Sequence, residues 1–239
     1  MSSIYRLRPY SKNTIDELND SFLWFSKPSA FKDTEDSNVS LMIEENEILQ
    51  RAFSSVLTER GVEELRELMK HIGICCFTKD IPKNCSRKIF PRGWKSVCIE
   101  YDKDMLADYF MNDLGMPNCF KEVVYSDDPV KVVNDGDYHL LMRKDENGEL
   151  YESIMEMKRN PDRFMEKLLF FLFTRINHKF IDQKELRIIW AGFRTIASDD
   201  KGYAVHIPKD CIKCVHVYQK TPKWFITAIK KMGLDIKKQ

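Results

Sequence analysis

The stretch Asp182-Gln183-Lys184-Glu185-Leu186-Arg187-Ile188-Ile189-Trp190 decides the fold, because it joins a long apolar region to a short run with strand character. As a strand it alternates, so Gln183, Glu185 and Arg187 project to one face while Leu186 and Ile188 project to the other. A Gln and a Glu two positions apart on an extended segment reach the same space. This arrangement favours the edge of an active site over a sheet interior, where a lone carboxylate is costly.

Two purely structural interpretations of this stretch stay open. The polar face can belong to a solvated edge strand, or Glu185 and Arg187 can form a salt bridge that serves stability alone. The choice between these interpretations and an active-site edge depends on the rest of the chain.

The composition describes an ordinary globular protein without a membrane segment. The chain has 239 residues, 43% of them hydrophobic and 31% charged, with a formal net charge of +1. A chain of this size buries about 70–75% of its unfolded surface and needs no disulfide or metal for a core. The longest apolar run, residues 168–173, is too short to span a bilayer, and the first residues lack the apolar region of a signal peptide. Seven cysteines, an odd number, indicate reduced thiols, so we expect a cytoplasmic protein.

The periodicity of the chain predicts an α+β fold in a single domain over residues 1–239, because strands and helices are mixed without regular βαβ alternation. The predicted strands cover residues 4–8, 21–26, 74–77, 97–101, 121–125, 130–133, 185–190, 203–207 and 214–218. The predicted helices cover residues 13–18, 41–70, 102–114, 149–177 and 222–232. We expect the strands at 121–125 and 130–133 to pair with each other across a turn.

Several classes of site lack their motifs in this sequence. There is no G-x-S-x-G, no phosphate-binding glycine loop and no dinucleotide-binding fingerprint, and the five histidines are scattered. Cys211 and Cys214 form a single C-x-x-C pair, whereas a structural zinc needs four ligands. We therefore expect no metal site, and the hydrolase, P-loop and classical dehydrogenase classes are disfavoured.

Three polar features remain after these exclusions. Arg6 and Arg8 lie on one face of the first strand, Thr78 ends an apolar strand, and Gln183-x-Glu185 opens a late one. Each has a structural alternative, since Arg8 can close a salt bridge and Thr78 can cap the next turn. Together they place a cation, a hydroxyl and a carboxylate on separate strand ends.

The order of short motifs resembles a bacterial and phage family known as domain of unknown function 2971. The motifs that carry the resemblance are Tyr5-Arg6-Leu7-Arg8, the segment from Phe25 to Asp36, Cys76-Phe77-Thr78, the strand from Ser96 to Tyr101, the segment from Val123 to Pro129, and the segment from Phe180 to Arg187. The sequence departs from the family pattern at Lys32, Arg87 and Gln183. These departures imply a diverged member of that family.

An arginine strand, an aromatic-Ser/Thr strand end and a late Gln-x-Glu strand are also similar to the ADP-ribosyltransferase fold. This resemblance implies a split antiparallel β core with flanking helices and NAD, as substrate, in the cleft between the sheets. It implies that Glu185 is catalytic and that Gln183 faces the acceptor. The residues that it places around NAD are Arg8 or Arg6 for the phosphates, Thr78 and Ser26 for polar support, and Phe90 or Tyr5 for stacking on nicotinamide.

The function implied is transfer of ADP-ribose to a nucleobase of RNA or DNA, or to a protein side chain. Such an enzyme acts as a toxin in phage defence or a toxin–antitoxin pair, with an inhibitor protein as partner. The alternatives are a non-enzymatic protein-interaction module and a nuclease in which Asp33, Asp36 and Glu185 hold a divalent metal. The transferase hypothesis requires an amino-terminal arginine, Thr78 and Glu185 to converge on one cleft.

Overall fold

The computed structural model describes residues 2–31, 70–81, 95–125, 131–135, 138–145, 148–153, 170, 173–191 and 197–239. Within them the α-helices are α1 (Lys12–Asn19), α2 (Lys103–Asn112) and α3 (Lys223–Lys231). The strands are β1 (Ser3–Pro9), β2 (Phe22–Ser26), β3 (Ile72–Thr78), β4 (Ser96–Asp102), β5 (Phe120–Glu122), β6 (Val124–Tyr125), β7 (Lys131–Asp135), β8 (Tyr138–Asp145), β9 (Gly148–Ser153), β10 (Arg175–Ile176), β11 (Glu185–Ala191), β12 (Ala197–Ser198), β13 (Gly202–His206), β14 (Ile212–Val217) and β15 (Ile236–Lys238).

Ten of these strands form one mainly antiparallel sheet in which β3 is the branch point. The order is β12-β13-β2-β3-β1-β4-β14-β15, and β11 and β5 leave this path on the other side of β3. Along one edge, β3 pairs with β2 at Ile74 and with β1 at Thr78. Along its other edge it pairs with β11 from Ile72 to Thr78. Strands that are far apart in sequence therefore meet at β3.

The three helices pack on one face of this sheet. Alternation along the strands sends apolar side chains to that face, including Ile4, Ile99 and Leu186. The helices contribute the buried residues Leu18 from α1, Leu106 and Phe110 from α2, and Phe225 and Ile229 from α3. The opposite face of the same strands carries polar residues, and this face positions the candidate site.

Two helix starts are fixed by side chains before the first turn. The Asp102 carboxylate accepts hydrogen bonds from the backbone N–H groups of Asp104 and Met105, each at 3.1 Å, so Asp102 is the N-cap of α2. Helix α1 begins one residue after Ser11, which is its N-cap and accepts a hydrogen bond from the backbone N–H of Thr14. In both helices the capping side chain sets where the chain leaves the preceding strand.

The coarse prediction of an α+β fold is confirmed, but two local predictions are wrong. Residues 121–125 do not pair with 130–133, because β5 pairs with β11, β6 with β10 and β7 with β8. The predicted helix at 149–177 begins as a strand, since β9 pairs with β8. The predicted helix at 41–70 lies outside the described residues apart from its last residue.

Among the described helices, none is long and apolar enough to cross a membrane.

Candidate functional site

A row of polar side chains crosses the face of the sheet opposite the helices. In register, Cys214 of β14 lies beside Glu100 of β4, which lies beside Tyr5 of β1. Tyr5 lies beside Thr78 of β3, and Thr78 beside Glu185 of β11. Because neighbouring strands lie about 4.8 Å apart, the row is about 19 Å long. It brings together residues that are more than a hundred positions apart in sequence.

One end of this row borders a cavity of about 240 Å³. Its lining residues are Tyr5, Leu7, Cys76, Phe77, Thr78, Gln183 and Glu185. Four of the predicted site residues, Tyr5, Thr78, Gln183 and Glu185, therefore share one cavity.

Glu185 is held in that cavity by a buried arginine on its own strand. Arg187 donates from Nε to Glu185 Oε1 at 2.9 Å and from Nη2 to Oε2 at 3.2 Å. Arg187 also donates from Nη1 to the carbonyl of Phe173 at 2.9 Å. Glu185 is 7% exposed and Arg187 is fully buried, so the carboxylate is fixed by a two-point charged contact. The salt bridge that the sequence left open as an alternative is present.

Gln183 lines the cavity from a 3₁₀ turn and not, as expected, from a strand. Residues 178–183 form a 3₁₀ turn, and Lys184 adopts a left-handed conformation with φ 43° and ψ 51° before β11 begins. The backbone N–H of Glu185 donates to the hydroxyl of Tyr125 at 2.7 Å at this junction. The prediction of one extended segment from Gln183 to Glu185 is wrong, although both side chains line the same space.

The Thr78 hydroxyl lies at the end of β3 and contacts the turn that follows. Thr78 Oγ1 donates to the Asp80 carbonyl at 3.3 Å, and the Asp80 N–H donates back to it at 3.4 Å. Both distances are long for hydrogen bonds, so these contacts are weak. Thr78 thus caps a turn, as its structural alternative proposed, and also lines the cavity.

Arg6 does not lie in this cavity. Because strand side chains alternate, Arg6 shares a face with Ile99, its partner on β4, and not with Tyr5. Its guanidinium forms a buried ion pair with Glu17 of α1 and donates to the carbonyl of Trp24 at 2.6 Å. The expectation that Arg6 binds NAD phosphates beside Glu185 is therefore corrected: Arg6 joins β1, α1 and β2 in the core.

Arg8 and Ser26 line a second, larger cavity of about 710 Å³. Arg8 Nε lies 2.6 Å from Glu17 Oε2, although the orientation is not that of a hydrogen bond. Burial lowers the pKa of Arg8 from its ordinary value, against the opposing effect of Glu17. The required convergence of an amino-terminal arginine with Thr78 and Glu185 is thus not observed. Phe90, Asp33 and Asp36, which the sequence also nominated, lie outside the described residues.

The other end of the row is a buried polar cluster that the sequence did not predict. Glu100 Oε2 lies 3.1 Å from Cys214 Sγ, 2.9 Å from His216 Nε2 and 3.1 Å from Lys237 Nζ. Burial alone would raise the pKa of Glu100, but hydrogen bonds from Ser3, Cys214, His216 and Lys237 lower it to about 2. The sequence signal was Cys214-x-His216 on a strand, which places both side chains on one face.

No protein-family model, curated protein or solved structure matches the chain. The chemistry of the cavity is given by its side chains. A fixed carboxylate can stabilise positive charge, an amide can donate and accept hydrogen bonds, and a hydroxyl can do both. Such a set can bind a small polar ligand.

Proposed function

We propose that the protein is an NAD-dependent ADP-ribosyltransferase whose reaction takes place in the cavity of Tyr5, Thr78, Gln183 and Glu185. The observation that supports this function is the meeting of these four side chains in one cavity, although they come from three distant parts of the sequence. The split antiparallel core of ADP-ribosyltransferases is part of the proposal, and the branching of the sheet at β3 is compatible with it.

In the reaction, the bond between ribose C1′ and the nicotinamide nitrogen breaks, and both electrons leave with nicotinamide. The positive charge that develops on the ribose is stabilised by the carboxylate of Glu185. The acceptor then bonds to C1′ and releases its proton. Gln183 lies beside Glu185 in the cavity and would orient an acceptor amide or base edge through its own amide.

The contact with Arg187 is compatible with this role for Glu185. An ionised carboxylate offers about four lone-pair positions, and Arg187 uses two of them. The remaining positions can accept a hydrogen bond from a ribose hydroxyl. In this proposal Arg187 is a positioning residue that holds the carboxylate in one orientation before the substrate binds.

Because neither Arg6 nor Arg8 lines this cavity, the proposal drops the convergence of an amino-terminal arginine with Thr78 and Glu185, and the phosphates of NAD need another cation. Lys79 and Lys184 adjoin Thr78 and Glu185 in the chain, and each pairs with an exposed carboxylate: Lys79 Nζ lies 2.7 Å from Glu122 and Lys184 Nζ 2.7 Å from Asp80. Exposed pairs of this kind contribute only about 0–1 kcal/mol, so a pyrophosphate can replace the carboxylates. We therefore assign phosphate binding to these lysines.

The test is release of nicotinamide from labelled NAD, with and without cellular RNA, DNA and protein as acceptors. Glu185→Gln should lower the rate at least about 100-fold, the scale for loss of one electrostatic stabiliser. Gln183→Ala should lower transfer to the acceptor more than it lowers NAD hydrolysis. Asp108→Asn, an exposed carboxylate on α2, is the matched control and should keep full activity.

Loss of Glu185 alone leaves the buried Arg187 without its counter-charge, which costs about 3–5 kcal/mol in such pairs. A double variant, Glu185→Gln with Arg187→Met, removes both charges and should recover much of the stability. A stably folded double variant with wild-type NAD cleavage would exclude Glu185 from the reaction.

The second candidate is a non-enzymatic interaction module, and the Glu185–Arg187 pair favours it. A carboxylate that is 7% exposed and already bound at both oxygens can serve stability alone. Exposed apolar side chains on the helices, such as Trp224 at 54% exposure, would then belong to a binding surface. Absence of NAD cleavage, together with no change in melting temperature on addition of NAD, would support this module.

A further inference from the structure

Glu100, Cys214 and His216 present three potential metal ligands at one point. Their ligand atoms all lie within 4.8 Å of one another, and all three residues are buried. The separations are 3.1 Å from Cys214 Sγ to Glu100 Oε2, 3.5 Å from Cys214 Sγ to His216 Nε2, and 2.9 Å from His216 Nε2 to Glu100 Oε2. Adjacent antiparallel strands hold them, since Cys214 is the register partner of Glu100 and His216 that of Cys98.

These three residues are not arranged as a nucleophilic relay. In a Cys–His–carboxylate relay the thiol and the carboxylate bind opposite nitrogens of the imidazole. Here both the thiol and the carboxylate face Nε2, and Nδ1 is bound instead by Gln239 at 2.6 Å. Three donors that converge on one point are the arrangement of a metal site.

We propose that Glu100, Cys214 and His216 form a zinc-binding site on the polar face of the sheet. Sulfur, imidazole nitrogen and carboxylate oxygen are the three ligand types that zinc takes in proteins. With usual zinc–ligand bond lengths, a tetrahedral site has edges of about 3.4–3.6 Å. The observed separations of 2.9–3.5 Å need to widen by about half an ångström or less. Three protein ligands leave the fourth position for water or another donor.

The surroundings of His216 suit a ligand histidine. Zinc-bound imidazoles usually donate their other N–H to a protein oxygen, which fixes the tautomer. Nδ1 of His216 lies 2.6 Å from the side-chain amide of Gln239. Since the oxygen and nitrogen of an amide are assigned from the hydrogen-bond pattern, rotation of this group by 180° offers the oxygen as acceptor. Gln239 is thus the outer partner of the site.

Lys237 occupies the approach to the site and competes with the metal. Its ammonium lies 3.1 Å from Glu100 Oε2, but its side chain is 58% exposed and carried by the short terminal strand β15. Such a side chain can move into solvent when a dication binds. Metal binding also displaces the thiol proton of Cys214. When zinc replaces the ammonium of Lys237, the Glu100 carboxylate exchanges one positively charged partner for another.

The zinc site and the NAD cavity are separate ends of one polar row. Tyr5 lies between them, because it lines the cavity and its ring makes an edge contact with His216 at a centroid distance of 6.0 Å. Glu100 and Glu185 are three strands apart, about 14 Å. Zinc binding at Glu100 therefore does not require that the cavity binds NAD.

In the experiment, metal is first removed from the full chain by dialysis against a chelator. The zinc that the chain then binds on addition of zinc chloride is measured. We expect one zinc per chain, with a rise in melting temperature on addition of zinc chloride. Cys214→Ser, His216→Gln and Glu100→Gln should each lose stoichiometric binding. Cys76→Ser is the matched control: it removes a half-buried thiol from the same face, outside the cluster, and should bind zinc as the wild type does. Gln239→Ala should weaken binding by about 10-fold, the lower end for loss of an outer partner.

Two further measurements keep the proposal testable if a ligand variant fails to fold. Cobalt in place of zinc should give a thiolate charge-transfer band at one equivalent in the wild type. Lys237→Ala, at an exposed position, should bind zinc more tightly because the competing ammonium is gone. Absence of this band, or no zinc uptake by either the wild type or Lys237→Ala, would overturn the site and leave Glu100 as a buried carboxylate with four hydrogen-bond donors. Binding retained in all three ligand variants would overturn it as well.

Discussion

Arg6 illustrates how much depends on which side of a strand a residue occupies. The sequence predicted that Arg6 and Arg8 share a face, and they do, with Glu17 of α1 as their common partner. Alternation alone does not say which face the helices cover. Ile4 and Ile99 lie on the same face as Arg6 and pack in the apolar core, so this is the face that the helices cover. Arg6 is tolerated there because Glu17 and the Trp24 carbonyl satisfy its guanidinium.

Because the thiol of Cys75 is buried, we expect the free energy of unfolding of the protein to fall at alkaline pH. Burial raises the pKa of this thiol to about 11, whereas the unfolded value is about 8.5. A raised pKa in the folded state gives stability that is complete below the unfolded pKa and is lost as pH rises through the folded pKa. The contribution of Cys75 should therefore disappear between about pH 9 and pH 11, by roughly 1 kcal/mol per pH unit.

The measurement is the free energy of unfolding by urea at a series of pH values for the wild type and Cys75→Val. Valine fills the site with an apolar side chain that does not titrate, and such swaps usually change stability by less than about 1.5 kcal/mol at neutral pH. Because other buried groups titrate equally in both proteins, the difference between them isolates Cys75. Parallel curves from pH 8 to pH 11 would contradict the buried, protonated thiol.

At the scale of elements, β11 was the most predictable part of the fold. The apolar run from Leu186 to Trp190 predicts a strand, and the structure has one at Glu185–Ala191. Its first residue, Glu185, was predicted correctly, but the left-handed Lys184 before it was not, and the Glu185 N–H at this junction contacts Tyr125, far away in sequence. The pairing of β5 with β11 was missed for a similar reason: a local turn signal at residues 126–129 suggested a hairpin, but the partner strand lies elsewhere.

Gly73 lets β2, β3 and β13 approach one another. A Cβ at this position would lie 2.6 Å from Tyr203 Cζ and 2.7 Å from Phe25 Cβ, and these two rings are stacked at 5.7 Å. Gly73→Ala should therefore lower the free energy of unfolding by about 1–3 kcal/mol through overpacking. In a Tyr203→Leu background the same change should cost less, because the nearest ring atoms are gone. Equal costs in the two backgrounds, measured by urea unfolding, would place the strain elsewhere.

At the scale of the whole molecule, the two faces of the sheet carry different kinds of side chain. Among the residues that the structure describes, the helix-covered face is mainly apolar with a buried ion-pair group around Glu17, and the other face carries the polar row from Cys214 to Glu185. The sequence identified Thr78, Gln183 and Glu185 because each belongs to a short motif. It did not identify Glu100, Cys214 and His216 as a group, because only the register of β4 with β14 brings them together.

The separation of the two faces predicts which substitutions are energetically coupled. Arg8 and Glu17 contact each other, so Arg8→Gln and Glu17→Gln should be non-additive by about 0.5–3 kcal/mol in the free energy of unfolding. Arg8 and Thr78 lie on opposite faces and line different cavities, so Arg8→Gln and Thr78→Ala should add within about 0.5 kcal/mol. Urea unfolding of the single and double variants gives both coupling energies. A coupling between Arg8 and Thr78 as large as that between Arg8 and Glu17 would mean that the arginine and the hydroxyl share a face, and would restore Arg8 as a candidate for the NAD site.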